Sequence, residues 1–180
     1  MNFDADTHHP NLKLSSNNTS VQHVSKELKH PPHPYRFDVL EQVLSKQKLL
    51  GRCFFQVEVQ YKKSFIVGVC QGVGNMKSSC GGEEQLGDGP WSFGFGFDNG
   101  QCIFLNNADP RNLRCPDPPT GSPATMRVGI FLDHRAGVLV FYRILTDDTL
   151  VYICEIQNFF WEPLLAGVFL PEINSTAKFL

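Results

Sequence analysis

Arg127-Val-Gly-Ile-Phe-Leu-Asp-His-Arg-Ala-Gly-Val-Leu-Val-Phe-Tyr142 consists of two apolar arms around one polar break, Asp133 to Gly137. Each arm is too short for an ordinary helix and is rich in Val, Ile and Phe, side chains that suit a pleated surface. Gly137 supplies the left-handed backbone conformation that a tight reversal needs. The segment therefore reads as a β-hairpin. Its strands are apolar on both faces, as in the middle of a packed all-β domain, and a chain built around such a hairpin is all-β.

The rest of the chain supports many short strands. Its 180 residues suffice for one domain. The 15 glycines and 12 prolines are scattered rather than gathered in a tail. Asn11–Leu14 and Ser20–Val24 alternate briefly within a polar leader, residues 1–38, that reads as edge strands lying on the main body. Pro31-Pro-His-Pro34 cannot join a ladder and is expected as an extended surface segment. Val39–Lys48 is the one candidate helical turn.

Gly51–Gln60 alternates, with Cys53, Phe55, Val57 and Val59 on one face, as a half-buried antiparallel strand does. Ser64–Gly72 is a second strand. Val73–Pro90, rich in glycine, is a long connection of the kind that carries binding function. Trp91, Phe93, Phe95 and Phe97 then fall on one face as core, and Ser92, Gly94 and Gly96 leave the other bare for a backbone or ligand to approach. Asp98-Asn-Gly100 is a hairpin turn into Gln101–Asn106. Asn107–Thr125 reads as a Pro-rich loop, and Leu150–Ile156 and Leu164–Leu170 as further strands. Ten to thirteen strands without a strong helix imply two antiparallel sheets packed face to face.

Charge and motifs argue against several functions. The net charge is −2 and the pI near 6.3, and no basic stripe of the kind nucleic acid requires is present. The longest apolar runs fall far short of the ~20 residues of a membrane helix. No basic-then-apolar leader opens the chain, so a cytoplasmic setting without membrane insertion is expected.

Cys53, Cys70, Cys80, Cys102, Cys115 and Cys154 lack zinc-finger spacing, and in the cytosol all six are expected as thiols. Sequons at Asn17, Asn18 and Asn174 matter only in a secreted protein. His8 and His9 beside Asp4 and Asp6 suggest either a metal or, more simply, a solvated leader. His30 and His33 flank prolines and are expected to be exposed. Nothing marks a serine as a nucleophile, and Asp133 beside His134 reads as a turn cap rather than part of a triad. No enzyme, metal or cofactor is expected.

With the strands laid out, the chain resembles a PRY-SPRY domain from end to end. The resemblance rests on Phe3-Asp-Ala-Asp-Thr-His-His-Pro10, Tyr35-Arg-Phe-Asp38, Val43-Leu44 and Gly51–Val59. It continues through Val67-Gly-Val-Cys70, Trp91, the hairpin, Pro163 and Ala166–Pro171. Phe55-Gln56 stands where the family usually has Trp-Glu, Phe65 where it has Trp, and His134-Arg135 where it has Tyr-Glu. Phe for Trp keeps an aromatic plug without its N–H donor.

The resemblance implies a curved two-sheet antiparallel β-sandwich, SPRY-type and concanavalin-like. A PRY segment (residues 1–50) would pack on a SPRY sandwich (residues 51–180) to make one structural domain. It also implies recognition of a protein or peptide through loops on one face. Such domains form the target-recognition ends of tripartite-motif ubiquitin ligases, of some fish nucleotide-binding immune receptors and of butyrophilins. Ring-type zinc ligands, coiled-coil heptads and a nucleotide-binding loop are not seen, so ligase activity would come from a partner or another segment.

The expected partner-binding residues are Tyr35, Arg36, Asn75, Lys77, Phe97, Asp98, Asn99, His134, Phe160 and Trp161. Asn158-Phe-Phe-Trp161 is the sharpest of these regions, because three consecutive aromatics cannot all enter one core, and related domains place an apolar residue near here in the cleft. Arg36 either bonds the sandwich edge or faces a ligand. A rival reading is a sensor of a phosphorylated metabolite or glycan, with Arg36, Lys77, Arg111 and Arg114 as its cations. A third is a structural module of a secreted fish cytolysin.

Overall fold

The computed structural model describes residues 1–77, 82–107, 109–115 and 119–180, apart from the side chains of Asn75, Asp109 and Pro110. Cys80, one of the six expected thiols, lies outside the described residues, as does part of the 73–90 connection.

Thirteen strands are described, and all pair antiparallel: β1 Leu12–Leu14, β2 Ser20–His23, β3 Gln42–Leu49, β4 Arg52–Tyr61, β5 Phe65–Gln71, β6 Ser92–Asp98, β7 Gln101–Asn106, β8 Asp109–Leu113, β9 Ala124–Asp133, β10 Val138–Ile144, β11 Leu150–Gln157, β12 Leu164–Phe169 and β13 Thr176–Phe179. One sheet has the order β1-β2-β13-β4-β9-β10-β11 and the other β3-β12-β5-β6-β7-β8. The only helical piece among the described residues is a 3-10 turn, Val73–Met76.

The hairpin lies where its apolar arms require. β9 is flanked by β4 and β10, and inward residues Val128, Ile130, Leu132, Leu139 and Phe141 are buried. Phe141 packs against Phe95 and Phe104 of the facing sheet, with ring centres 5.9 and 6.0 Å apart. Burying a residue of this size is worth roughly 2–3 kcal/mol. The Asp98–Gly100 turn has φ of 48° at Asn99 and 85° at Gly100, positive at both central positions as a twist-matched two-residue hairpin requires.

The structure departs from the sequence reading in several places. Val39–Lys48 forms no helical turn. Its residues from Gln42 onward form β3, because Val43 and Leu44 pair with Val168 and Gly167 and are buried there, and tertiary pairing outweighs local preference. Within the expected loop 107–125, Asp109–Leu113 is a strand on the edge of β7. β13, not singled out in the sequence, carries the C-terminus between β2 and β4.

Trp91 precedes β6 and leaves the aromatic face, being 37% exposed, whereas Phe93, Phe95 and Phe97 are buried. The glycine face of β6 is not left to a ligand either. A Cβ at Gly94 would stand 2.9 Å from the Leu86 carbonyl oxygen. The chain's own Phe37, Met76 and Leu86 cover that side of the sheet over Ile66, Cys70 and Leu105.

The histidines of the leader are not solvated. His8 and His9 are buried, and His30 and His33 are half-buried. The reason is Arg36, whose guanidinium gathers the leader by donating to the carbonyls of His8 (2.8 Å), Pro31 (3.2 Å) and Ala5 (3.2 Å).

Candidate functional site

The connection from β11 to β12, residues 158–163, is fixed at three points. The Asn158 amide donates to the Gly137 carbonyl at 2.8 Å. The Trp161 and Glu162 amides donate to Gln71 Oε1 at 2.8 and 3.3 Å. His134 Nε2 donates to the Glu162 carbonyl at 2.8 Å. The hairpin tip that holds this connection is itself tied down. Asp133 Oδ1 accepts the Ala136 amide at 2.9 Å, Oδ2 pairs with Arg52 Nε at 2.5 Å, and the His134 amide donates to the Gly51 carbonyl at 2.8 Å. The Ala136 amide first, and then Arg52, hold the Asp133 carboxyl below its usual range. Asp133 is thus the turn cap that its position suggested.

On this anchored backbone, successive side chains point in opposite directions, as in any extended segment. Phe160 turns inward, 5% exposed, edge-on to Phe93 at 6.0 Å and 5.7 Å from His134. Phe159 and Trp161 turn outward, 67% and 66% exposed, and meet edge-on at 4.8 Å. Trp91 stands edge-on to Trp161 at 6.0 Å. Three aromatic rings therefore form a surface cluster at one end of the sandwich.

The expected site residues fall into three groups. Trp161 and His134 share this end, with Phe160 beneath them as core rather than contact surface. Arg36 and Lys77 lie together elsewhere, and both are engaged internally. Arg36 is buried, and Lys77 Nζ donates to the Arg36 carbonyl and pairs with Asp38 and Glu83 at 3.5 Å each. Tyr35 beside them is exposed and meets His33 edge-on at 5.5 Å. The backbone of Asn75 lies in the 3-10 turn, and its side chain is outside the described residues.

Phe97, Asp98 and Asn99 form the third group, at the far end of the seven-residue β6, roughly 20 Å from Trp91. Phe97 is core, packed on Tyr61 and Phe65. Asp98 is exposed and accepts from Ser64 Oγ at 3.0 Å, and Asn99 is exposed beside it. Of the rival reading's other cations, Arg111 is on edge strand β8 and Arg114 just beyond it. No group of three or more His, Cys, Asp or Glu residues among those described is placed to hold a metal.

Sequence reasoning missed Phe159, the exposure of Trp91 and the anchoring carboxamide of Gln71. Phe159 was legible, because if one of three consecutive aromatics turns inward, its neighbours turn out. Gln71 has no sequence signal, since its role depends on a contact with a residue distant along the chain.

The fold is thus a two-sheet antiparallel sandwich with an aromatic loop cluster at one end. Family models confirm the class: the PRY model, a SPRY-associated domain, matches residues 1–49, and the SPRY domain model matches residues 52–179. The chain belongs to the SPRY domain family, whose fold serves protein interaction.

Among curated proteins, E3 ubiquitin-protein ligase TRIM11 of Rattus norvegicus is 36% identical over 152 residues, 84% of this chain and 30% of that protein. Butyrophilin subfamily 1 member A1 of Bos taurus is 30% identical over 166 residues, 87% of this chain and 28% of that protein. Pyrin of Homo sapiens is 32% identical over 152 residues, 79% of this chain and 17% of that protein. The chain thus spans less than a third of each. Among solved structures, stonustoxin superimposes with a TM-score of 0.84 at 24% identity, over 99% of this chain and 28% of that one. The TRIM65 PSpry domain superimposes with a TM-score of 0.78 at 20% identity, over 99% of this chain and 89% of that one. Both likenesses concern the fold. No helix among the described residues is long and apolar enough to cross a membrane.

Proposed function

We propose that this chain is a non-catalytic recognition module that binds a protein or peptide target through Trp161, Phe159 and Trp91, with His134 at the rim. The observation that carries this reading is the outward pair Phe159 and Trp161 on a backbone fixed by Gln71 and His134. Large aromatic side chains held rigidly at a surface lose little entropy on binding and are the usual anchors of protein interfaces. Tyr35 and the Asp98–Asn99 turn belong to other parts of the surface and are secondary.

By its relatives, the target is one selected for ubiquitin transfer or innate-immune signalling, and the setting is cytoplasmic. No disulfide joins the five described cysteines, which fits that setting. Residues 1–50 and 51–180 fold as one unit in this reading, supported by the pairing of leader strand β2 with C-terminal β13.

The test is capture from cell lysate by the wild type and by a Phe159→Ala, Trp161→Ala double variant, with bound proteins quantified. Loss of two aromatic anchors lowers recovery of the true target by about tenfold or more. Equal recovery of every captured protein overturns the assignment. A phosphorylated metabolite or glycan that raises the melting temperature when no protein is captured favours the sensor reading instead.

A further inference from the structure

A sheet edge exposes unpaired N–H and C=O groups, and proteins guard such edges with lysine, proline, short strands, β-bulges or a covering segment. Three of the four edges here are guarded. β1 has three residues, with Lys13 exposed. β3 exposes Lys46 and Lys48 and is overlaid by the N-terminal segment, the Lys46 amide donating to the Asn2 carbonyl at 2.9 Å. β8 contains Pro110 and exposes Arg111 and Asn112.

β11, Leu-Val-Tyr-Ile-Cys-Glu-Ile-Gln, is different. It has eight residues, no lysine or proline, Glu155 as its only charge, and a single bulge at Ile153 as its one guard. Among the described residues it has β10 on one side and no strand on the other. None of its side chains is buried, and Leu150 and Tyr152 are exposed on the outer face beside Ile144 and Tyr142.

We infer that β11 is a self-pairing edge, and that two copies of the chain join their seven-stranded sheets across it, antiparallel and two-fold symmetric. The strand's own pattern selects the occupant. Leu150, Tyr152, Glu155 and Gln157 point outward, Val151, Cys154 and Ile156 point inward, and Ile153, the bulged residue, also packs inward against the core. Read backwards, this order is unchanged. A two-fold pairing that sets Leu150 opposite the second copy's Gln157, Val151 opposite its Ile156 and Tyr152 opposite its Glu155 therefore matches outer side chains with outer and inner with inner along the whole strand. A slip of one residue sets each against the wrong face.

Charge agrees with this register. The two Glu155 carboxylates stay roughly 10 Å apart, each facing a phenol that can donate to it. Exposed Asp147, in the turn before the Leu150 end of each strand, comes toward the end of the other copy that carries exposed Arg135, where Asn158 bonds Gly137. An isologous contact of this kind closes as a dimer. Its Gln157 end adjoins the 158–161 connection, but Phe159 and Trp161 are not among the paired residues and the contact does not depend on the proposed target.

The test is sedimentation of the chain over a concentration series, for wild type, Tyr152→Lys and Trp161→Ala. The wild type and Trp161→Ala rise toward twice the monomer mass, whereas Tyr152→Lys, which places a charge at an exposed edge position, stays monomeric with an unchanged melting temperature. A wild type that remains monomeric throughout, or a Tyr152→Lys variant that dimerises equally, overturns the inference. Hydrogen exchange on the wild type reads the same point without a substitution: β11 amides gain protection with concentration if the edge pairs, and a gain elsewhere but not in β11 refutes it.

Discussion

Trp161 stands edge-on to Trp91, ring centres 6.0 Å apart at an interplanar angle of 81°, one ring from the β11–β12 connection and the other from the approach to β6. The pair joins the two long connections at this end of the sandwich, and Phe160 between Phe159 and Trp161 fastens it to the core. Neighbouring aromatics thus have opposite tasks, and substitution separates them. Phe160→Ala is expected to destabilise the fold by about 3 kcal/mol through the cavity it leaves against Phe93 and His134. Trp161→Ala changes stability by no more than about 0.5 kcal/mol, as an exposed side chain should. Urea denaturation of the two variants checks this; similar losses would mean that Trp161 is packing, not surface.

A carboxylate holds the layer over the glycine face in place. Glu83, whose side chain is 2% exposed, accepts the amides of Asp38 (2.5 Å), Val39 (3.0 Å) and Leu40 (2.9 Å) and pairs with Lys77 at 3.5 Å. Removing it leaves three amides without their acceptor and takes one of Lys77's two carboxylate partners away. Glu83→Ala is expected to cost about 3 kcal/mol, and Glu83→Gln, which retains one carbonyl acceptor, less. Hydrogen exchange should show the loss at amides 38–40 first. If those amides stay protected in Glu83→Ala, the layer is held by Phe37 and Leu86 alone.

Much of this fold was legible because alternation and turn chemistry are local. The hairpin at 133–137, the alternation of β4 and the Asp98–Gly100 turn each carry their own signal. Val43 and Leu44 did not, since a short apolar pair beside Ser45 and Lys46 fits a helical turn until β12 pairs with it. The site was less legible for the same reason. Trp161 is conspicuous, but the exposure of Trp91 depends on where β6 begins, and the engagement of Arg36 depends largely on the carbonyls of His8 and Ala5, more than twenty residues upstream. Arg36 has the composition of a ligand contact and the surroundings of a structural clamp.

His8 makes stability depend on pH. Arg36 donates to its Nδ1 at 3.3 Å, which leaves the ring proton on Nε2, facing His30 Nε2 at 3.2 Å. Burial first, then the charges of His30 and Arg36, lower its pKa from 6.5 to about 4, against smaller opposing effects of the Ala5 backbone and then Asp6. His30 is lowered in the same direction by burial and by Arg36. A base with a lowered folded-state pKa favours the fold fully above its unfolded value. That contribution, on the order of 3 kcal/mol for His8, is lost as pH falls from about 6.5 toward 4, because the unfolded chain takes up the proton first. Asp133 and Asp147, held below 3.8, act in a lower window and do not confuse the reading. Denaturation midpoints at about pH 7.5 and about pH 4.5 should differ more for wild type than for His8→Asn. Equal differences would remove His8 as the cause.

Gly137 connects the hairpin to the binding end, and two alanine substitutions test that connection. Gly137 has φ of 71° and Gly51 φ of 67°, so a side chain at either costs about 1 kcal/mol of backbone strain. Nothing lies within 4 Å of a Cβ at Gly51, whereas a Cβ at Gly137 would run into the Asn158 carbonyl oxygen. That carbonyl belongs to the residue whose amide bonds Gly137, so the backbone of the 158–163 connection must move to make room. Gly51→Ala should therefore lower the melting temperature slightly and leave target capture intact. Gly137→Ala should lower it further and also reduce capture, with Trp161 unchanged in sequence but displaced. Thermal melts and capture run on both variants decide the matter. If Gly137→Ala captures target as well as Gly51→Ala does, the position of the Phe159–Trp161 pair does not depend on the hairpin tip.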